Sequence, residues 1–323
     1  MNAAAITRRS ALTVLGACCV PARAQQAWPS RPLRIIVPSA AGGPWDPLAR
    51  HLADRFGATL GQPAIVENRS GATGMIGMDA VAKATDGHTL GIVFMPHVLL
   101  PSLVDKMPYD ILRDVMPVGQ THWTSNILVV HPRVPANDLR SLIGHVRSRP
   151  GKLSYASGGN GTPAHLMGET LKQVSGTFIL HIPYRGPLPA LQDLVGGQTE
   201  MMFASAAAAL PHVRSGRLKA LAVTAPQRLE AAPDIPTFAE AGFPGFDVRD
   251  WSGLVASPSV PREAVARLHA GMASALAEPG VTARFAAQGI DLQVTGPDAF
   301  AGFMRSEATR LGAIARKAGL KLT

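Results

Sequence analysis

Apolar and polar positions along this chain switch repeatedly between a two-residue and a 3.6-residue period. Leu33-Arg34-Ile35-Ile36-Val37 is a short β-rich run. After a glycine loop, Leu48, Leu52, Phe56 and Leu60 recur at helical spacing opposite Arg50, His51, Asp54 and Arg55, and Gly61 stops the helix. The cycle continues with a strand from Ala64 to Glu67, a helix from Met75 to Ala84 and a strand from Leu90 to Phe94. An extended run, Asn126 to His131, leaves this first set of elements. A helix over Leu139 to Arg149, a strand over Leu153 to Ala156 and a helix over Ala164 to Val174 come next. Strands at Phe178 to Tyr184, Glu200 to Phe203 and Leu218 to Thr224 surround a helix from Leu188 to Val195. A Pro/Gly-rich connector, Ala225 to Gly245, precedes an apolar strand, Trp251 to Ser257. Helices over Arg262 to Ala277, Ala283 to Gln288 and Asp298 to Ala318 finish the chain. This alternation predicts an α/β protein with largely parallel sheets.

The first residues change the picture. Arg8 and Arg9 precede the apolar run Ala11 to Val20, and Ala22-Arg23-Ala24 follows: a secretory signal over residues 1–24, cleaved after Ala24 and too short to span a bilayer. The Arg-Arg pair also permits twin-arginine export. Leu15-Gly16-Ala17-Cys18 resembles a lipoprotein box, which leaves a lipid-anchored form as an alternative. Both cysteines, Cys18 and Cys19, lie inside the signal, so the mature chain has no disulfide, thiol nucleophile or cysteine metal site. The formal charge is +9; without Arg8, Arg9 and Arg23 it is 9 − 3 = +6. The basic residues are scattered and aromatics make up only 5%. That pattern fits solubility and attraction of small anions, and excludes a nucleic-acid stripe. The mature chain is expected to be periplasmic, monomeric and free of cofactor or metal.

Strands that run into glycine or proline loops and then helices mark where chemistry can sit. Gly42-Gly43-Pro44-Trp45-Asp46-Pro47 places Asp46 as an N-cap. Ser157-Gly158-Gly159-Asn160-Gly161-Thr162-Pro163 places Thr162 as another. Tyr184-Arg185-Gly186-Pro187 and Ser70-Gly71-Ala72-Thr73-Gly74 are further loops of this kind. Glycine admits a ligand close to the backbone, and free amides at a positive helix end favour an anion. Gly159-Asn160-Gly161-Thr162-Pro163-Ala164 fits a dinucleotide pattern, but no acid ends the next strand to hold a ribose. No nucleophile elbow, Walker loop or zinc helix is present, and nothing fixes Ser157, His165 and Asp193 as a triad.

Nine motifs then recur in one order. Val37-Pro38-x-x-x-Gly42-Gly43-x-x-Asp46, Val66-Glu67-Asn68-Arg69-x-Gly71-Ala72, Val129-Val130-His131-Pro132 and Tyr155-Ala156-Ser157-Gly158-Gly159-Asn160-Gly161-Thr162 come first. Ile182-Pro183-Tyr184-Arg185-Gly186, Asp193-Leu194-x-Gly196-Gly197, Leu221-Ala222-Val223-Thr224, Asp234-Ile235-Pro236-Thr237 and Trp251-x-Gly253-Leu254-Val255-Ala256 follow. From about Trp28 onward the chain resembles the Bug-type substrate-binding receptors of tripartite tricarboxylate transporters. The resemblance implies a type II periplasmic-binding-protein fold: two α/β lobes joined by two crossover segments, with a central cleft. Lobe 1 is expected to comprise residues 25–125 plus 249–323, and lobe 2 residues 126–248.

The implied function is an extracytoplasmic solute receptor and not an enzyme. It would close over a small carboxylate, a di- or tricarboxylate or an aromatic acid, and deliver it to membrane permease subunits. A signalling receptor and an exported hydrolase are the alternatives. Carried over by position, the ligand-binding residues are Ser39, Gly42, Gly43, Trp45 and Asp46 in the first loop, with His97 after the third strand. Ser157, Gly158, Asn160, Gly161 and Thr162, then Tyr184, Arg185 and Gly186, come from the other lobe. Trp45 stands where Thr is frequent, and Met95-Pro96-His97 replaces small polar residues. Ala204 replaces a frequent Asp, which turns the expectation away from amino acids.

Overall fold

A computed structural model describes residues 28–43, 45–246 and 248–322. The proposed signal, its cleavage point and both cysteines lie outside the described residues. Elements in chain order are β1 (Leu33–Val37), α1 (Asp46–Leu60), β2 (Ala64–Asn68), α2 (Met75–Ala82), β3 (Thr89–Phe94), α3 (Met95–Leu99) and β4 (Met116–Thr124). Next come β5 (Asn126–Val130), α4 (Leu139–Ser148), β6 (Ser154–Ser157), α5 (Pro163–Ser175), β7 (Leu180–Pro183), α6 (Pro187–Val195), β8 (Met201–Ser205), α7 (Ala206–Arg214) and β9 (Lys219–Val223). The chain ends through β10 (Asp250–Ala256), α8 (Arg262–Leu276), α9 (Val281–Ala286), β11 (Ile290–Leu292) and α10 (Pro297–Lys317).

Two sheets organise these elements. One has the order β11-β4-β10-β3-β1-β2, the other β7-β6-β8-β5-β9. The chain leaves the first sheet at Ser125, between β4 and β5, and returns to it between β9 and β10. Two α/β lobes with two crossovers form the type II architecture that the resemblance implied. Both sheets are mixed. β1, β2 and β3 are parallel, as are β6, β7 and β8, while β10 pairs antiparallel with β3 and β4, and β5 with β8 and β9. The expectation of largely parallel sheets therefore holds only for the βαβ units. The strands on which the chain arrives after each crossover, β5 and β10, run against them.

Helices cover both faces of β1, so its residues are buried on both sides. Ile36 packs with Met78, Val81 and Val93, whereas Leu33, Ile35 and Val37 face Leu48, Leu52, Phe56 and Leu268. Each such side chain contributes about 1.5–3 kcal/mol by leaving water. Trp251, fully buried on β10, meets Phe300 and Phe303 edge-on and donates its indole N–H to Glu307 at 3.0 Å. In the second lobe Ile127, Ala156, Leu191, Leu194, Met202 and Leu210 form a separate apolar cluster under α6 and α7.

Four elements were not anticipated: α3, β4, α7 and β11. Pro117, Gly119, Gln120 and His122 interrupt the apolar pattern of β4, and Pro211 sits inside α7. Pairing with β10, β11 and β5 supplies what their local sequence does not. No helix among the described residues is long and apolar enough to cross a membrane.

Candidate functional site

The parallel strands point their C-terminal ends at the glycine loops, where ligands of open α/β sheets bind. The first loop, after β1, turns back on itself. Ser39 N–H donates to Val37 O at 2.8 Å, Gly43 N–H to Ala40 O at 3.1 Å, and Asp46 N–H to Gly43 O at 3.1 Å. Gly42 takes a left-handed conformation, φ +74°, and its N–H donates to the Asp46 carboxylate at 3.1 Å. Trp45, not Asp46, is the N-cap residue of α1 and makes no side-chain cap. Asp46 is instead a buried tie, accepting also from Arg50 Nε at 2.9 Å and Asn68 Nδ2 at 2.9 Å. Burial alone would raise its pKa; the hydrogen bonds from Arg50, Asn68 and Gly42 outweigh that and hold the carboxyl below its usual range.

These bonds change which groups can meet a solute. The amides of Ser39, Gly42 and Gly43 are occupied within the loop. Ala40 and Ala41, both exposed, carry N–H groups with no acceptor among the described residues. The sequence pattern had drawn attention to the glycines; the donors lie beside them.

Trp45 is half-buried and stacks on Phe94, centroids 4.0 Å apart and 5° from parallel. Phe94 in turn meets His97 at 4.0 Å. His97 does not reach the opening: it is fully buried, its Nδ1 accepts from Phe94 N–H at 3.1 Å, and burial pushes its pKa down to about 3. It packs beneath the loop after β2, where a Cβ on Gly74 would lie 2.5 Å from its Nε2. In that loop Ala72 and Thr73 hold φ +46° and +55°, a conformation uncommon for residues with a Cβ. Thr73 is not among the residues that the sequence marks for the site, although its glycine loop is visible there.

On the other sheet, β6 delivers the second loop. Ser157 is fully buried; its hydroxyl accepts from Gly159 N–H at 3.1 Å and lies 2.7 Å from His181 Nε2. Gly161 N–H donates to His165 Nδ1 at 3.1 Å. Thr162 is the N-cap residue of α5, as expected, with Pro163 beginning the helix, but its hydroxyl donates to Gly159 O at 2.7 Å and does not cap. The N–H groups of Gly158 and Asn160 have no acceptor among the described residues. The third loop packs alongside: Tyr184 N–H donates to Ser157 O at 2.9 Å and Gly186 N–H to Gly158 O at 3.1 Å. Tyr184 OH donates to Asp193 at 2.8 Å. Arg185, at the apex, is exposed and has no acidic partner among the described residues. Ala204 is 2% exposed within the apolar cluster of the second sheet, so it does not line the opening. Ser157, His165 and Asp193 bond to different partners and form no triad.

The two lobes meet at these loops. Thr73 Oγ1 donates to Asn160 O at 3.3 Å, and a Cβ on Gly161 would lie 3.1 Å from Leu103 and 3.3 Å from Leu322. The open amides of Gly158 and Asn160 thus lie at this junction, and those of Ala40 and Ala41 on the neighbouring loop of the first sheet, where Pro38 packs against the Gly74–Gly77 segment. Such a junction can bind an anion through backbone donors and helix ends. Among the described residues, no group of three or more His, Cys, Asp or Glu side chains could hold a metal.

The family model described as "Tripartite tricarboxylate transporter family receptor" matches residues 48–320. Protein BugT of Bordetella pertussis is 37% identical over 298 residues, covering 91% of each chain. An R. palustris protein solved with adipate is 32% identical, with a TM-score of 0.83, over 91% of this chain and 99% of that one. MatC of Rhodopseudomonas palustris, solved with bound malate, is also 32% identical, with a TM-score of 0.79, over 89% and 99%.

Proposed function

We propose that this chain, which belongs to the tripartite tricarboxylate transporter receptor family, is a periplasmic receptor that closes over a small dicarboxylate and delivers it to the permease subunits of such a transporter. The observation that carries the reading is that glycine turns from the two sheets meet through Thr73 and Asn160, with open amides on a glycine turn of each sheet. Ala40 and Ala41 on one side and Gly158 and Asn160 on the other offer unpaired donors, while Thr73 and Asn160 bridge the lobes. A carboxylate between them would gain contacts in the closed state that the open state lacks, and only such a difference can shift a hinge. Lobe 1 is residues 25–125 with 249–323, lobe 2 is residues 126–248, and the hinge runs through Ser125 and the segment before Asp250. The receptor acts as a monomer after removal of residues 1–24.

The solute class is supported by the adipate and malate bound to relatives. Arg185 adds positive charge beside the second turn, and the half-buried ring of Trp45 extends the choice to aromatic acids. Calorimetry with adipate, malate, citrate and benzoate, together with small-angle scattering, tests this reading. It predicts binding of at least one acid with a compacted scattering profile. Folded protein that binds none of them would overturn it.

The 2.7 Å contact between Ser157 Oγ and His181 Nε2 favours a second reading, an exported hydrolase. Burial of that hydroxyl and its bonds to Gly159 argue for a role in shaping the turn. Turnover of a bound acid that disappears in Ser157→Ala would establish the hydrolase instead.

A further inference from the structure

Two imidazoles hold the second glycine turn from behind. His165, in the first turn of α5, accepts the Gly161 N–H on Nδ1 at 3.1 Å. His181, on the edge strand β7, stands 2.7 Å from the Ser157 hydroxyl, whose oxygen accepts the Gly159 N–H at 3.1 Å. Two amides of the turn therefore depend on two histidines, one directly and one through Ser157. The rings stack face to face, 3.9 Å apart and 8° from parallel. We propose that His165 and His181 are positioning residues for the solute-binding turn, and that the turn keeps its shape only while His165 is uncharged. This rests on the carboxylate-receptor reading and extends it to control by acidity.

The argument is one of hydrogen-bond chemistry. An imidazole nitrogen accepts a hydrogen bond only with its lone pair free. A proton on His165 Nδ1 would point at the Gly161 N–H, replacing a bond with two opposed donors. Because the rings are stacked, a charge on one also disfavours a charge on the other.

The surrounding groups do little to rescue the charged form. On α5, Glu169 is the only acid facing the pair; it already accepts from Tyr155 OH at 2.7 Å and Lys172 Nζ at 2.8 Å. From β6, Tyr155 stacks on His181 at 4.8 Å. On the outer side Gly161 faces the apolar ends of Leu103 and Leu322. Burial lowers the pKa of both histidines, His181 to about 3; at His165 the Glu169 charge works against burial without overturning it, and Lys172 works with it at both rings. A histidine held low is neutral at pH 7, and its contribution is lost as pH falls below its ordinary value of about 6.5.

Nuclear magnetic resonance on the ligand-free protein tests this without any solute. The His165 ring should carry its proton on Nε2 at pH 7, and acidification should shift that ring and the Gly161 amide with one shared midpoint below about 6.5. A His165 ring with its proton on Nδ1, or a Gly161 amide indifferent to the ring's titration, overturns the proposal. Calorimetry with adipate and malate forms the second arm. Affinity should fall further on acidification in the native protein than the protonation of the acid itself accounts for. In His165→Asn, whose side-chain oxygen can accept the amide without titrating, only the fall due to the acid's own protonation should remain; an identical pH dependence in the two proteins overturns the proposal. If neither acid binds, the receptor reading fails, and the ligand-free titration still decides the role of His165.

Discussion

The hydroxyl of Thr73, on a loop of the first sheet, donates to the carbonyl of Asn160, on a loop of the second, at 3.3 Å. Thr73 makes this contact from a left-handed backbone conformation, φ +55°, that costs a residue with a Cβ about 1–3 kcal/mol. Packing of the Gly71–Gly74 turn against Phe94 and His97 holds it there. The bond joins the turn after β2 to the second glycine turn, which carries the open Gly158 and Asn160 amides.

Thr73→Ala should weaken binding of adipate or malate about three- to ten-fold, the equivalent of one net hydrogen bond. Thr73→Ser, which keeps the hydroxyl, should stay near the native affinity. Calorimetry on both variants checks this, and equal losses in the two would assign the effect to the side-chain methyl.

Gly74→Ala should cost about 2–4 kcal/mol of stability. The new Cβ would lie 2.5 Å from His97 Nε2 and 3.0 Å from Phe94 Cζ, at a φ of +89° that only glycine takes without strain. A urea midpoint unchanged from the native protein would contradict the packing described for this turn.

Asp250, at the start of β10, is buried with one carboxyl oxygen unpartnered, and burial pushes its pKa up to about 7. Below the ordinary value of about 3.9 the group is protonated in both folded and unfolded chains, so it carries no penalty. The penalty builds as pH rises from there through about 7. Asp250→Asn should accordingly raise the melting temperature by roughly 5 °C or more at pH 8, with the gain vanishing near pH 4. Thermal melts across that range read it directly.

Asp46 runs the other way. Its carboxyl is held below the usual range, so its stabilisation is present above about 3.8 and is lost as pH falls through the folded value. Asp46→Asn should destabilise by about 1–3 kcal/mol at pH 7, through loss of the charged tie to Arg50 and weaker acceptance from Gly42. The difference from the native protein should shrink in strong acid. Chemical denaturation at pH 7 and pH 3 measures both.

The local pattern of the chain determined most of its elements. Leu48, Leu52 and Phe56 mark one helix face, Leu33 to Val37 a strand buried on both sides, and Gly61 and Pro163 helix boundaries, because these signals act within a few residues. Ordered motifs point from there to the family and to the loops of the candidate site. Tertiary structure decided what no local signal contains. β4 exists because β10 pairs with it across Pro117 and Gly119 and β11 pairs with its far end. The backbone path of each turn brings Asp46 to the Gly42 amide and His165 to the Gly161 amide, four residues away, and packing of two loops brings the Gly158 carbonyl to Gly186, which leaves Ala40, Ala41, Gly158 and Asn160 as the open donors. His97 and Ala204 lie beneath the surface, where their sequence positions alone suggested contact with solute. A hydrogen bond is assigned by which groups arrive within about 3 Å of one another, and that depends on how distant segments pack.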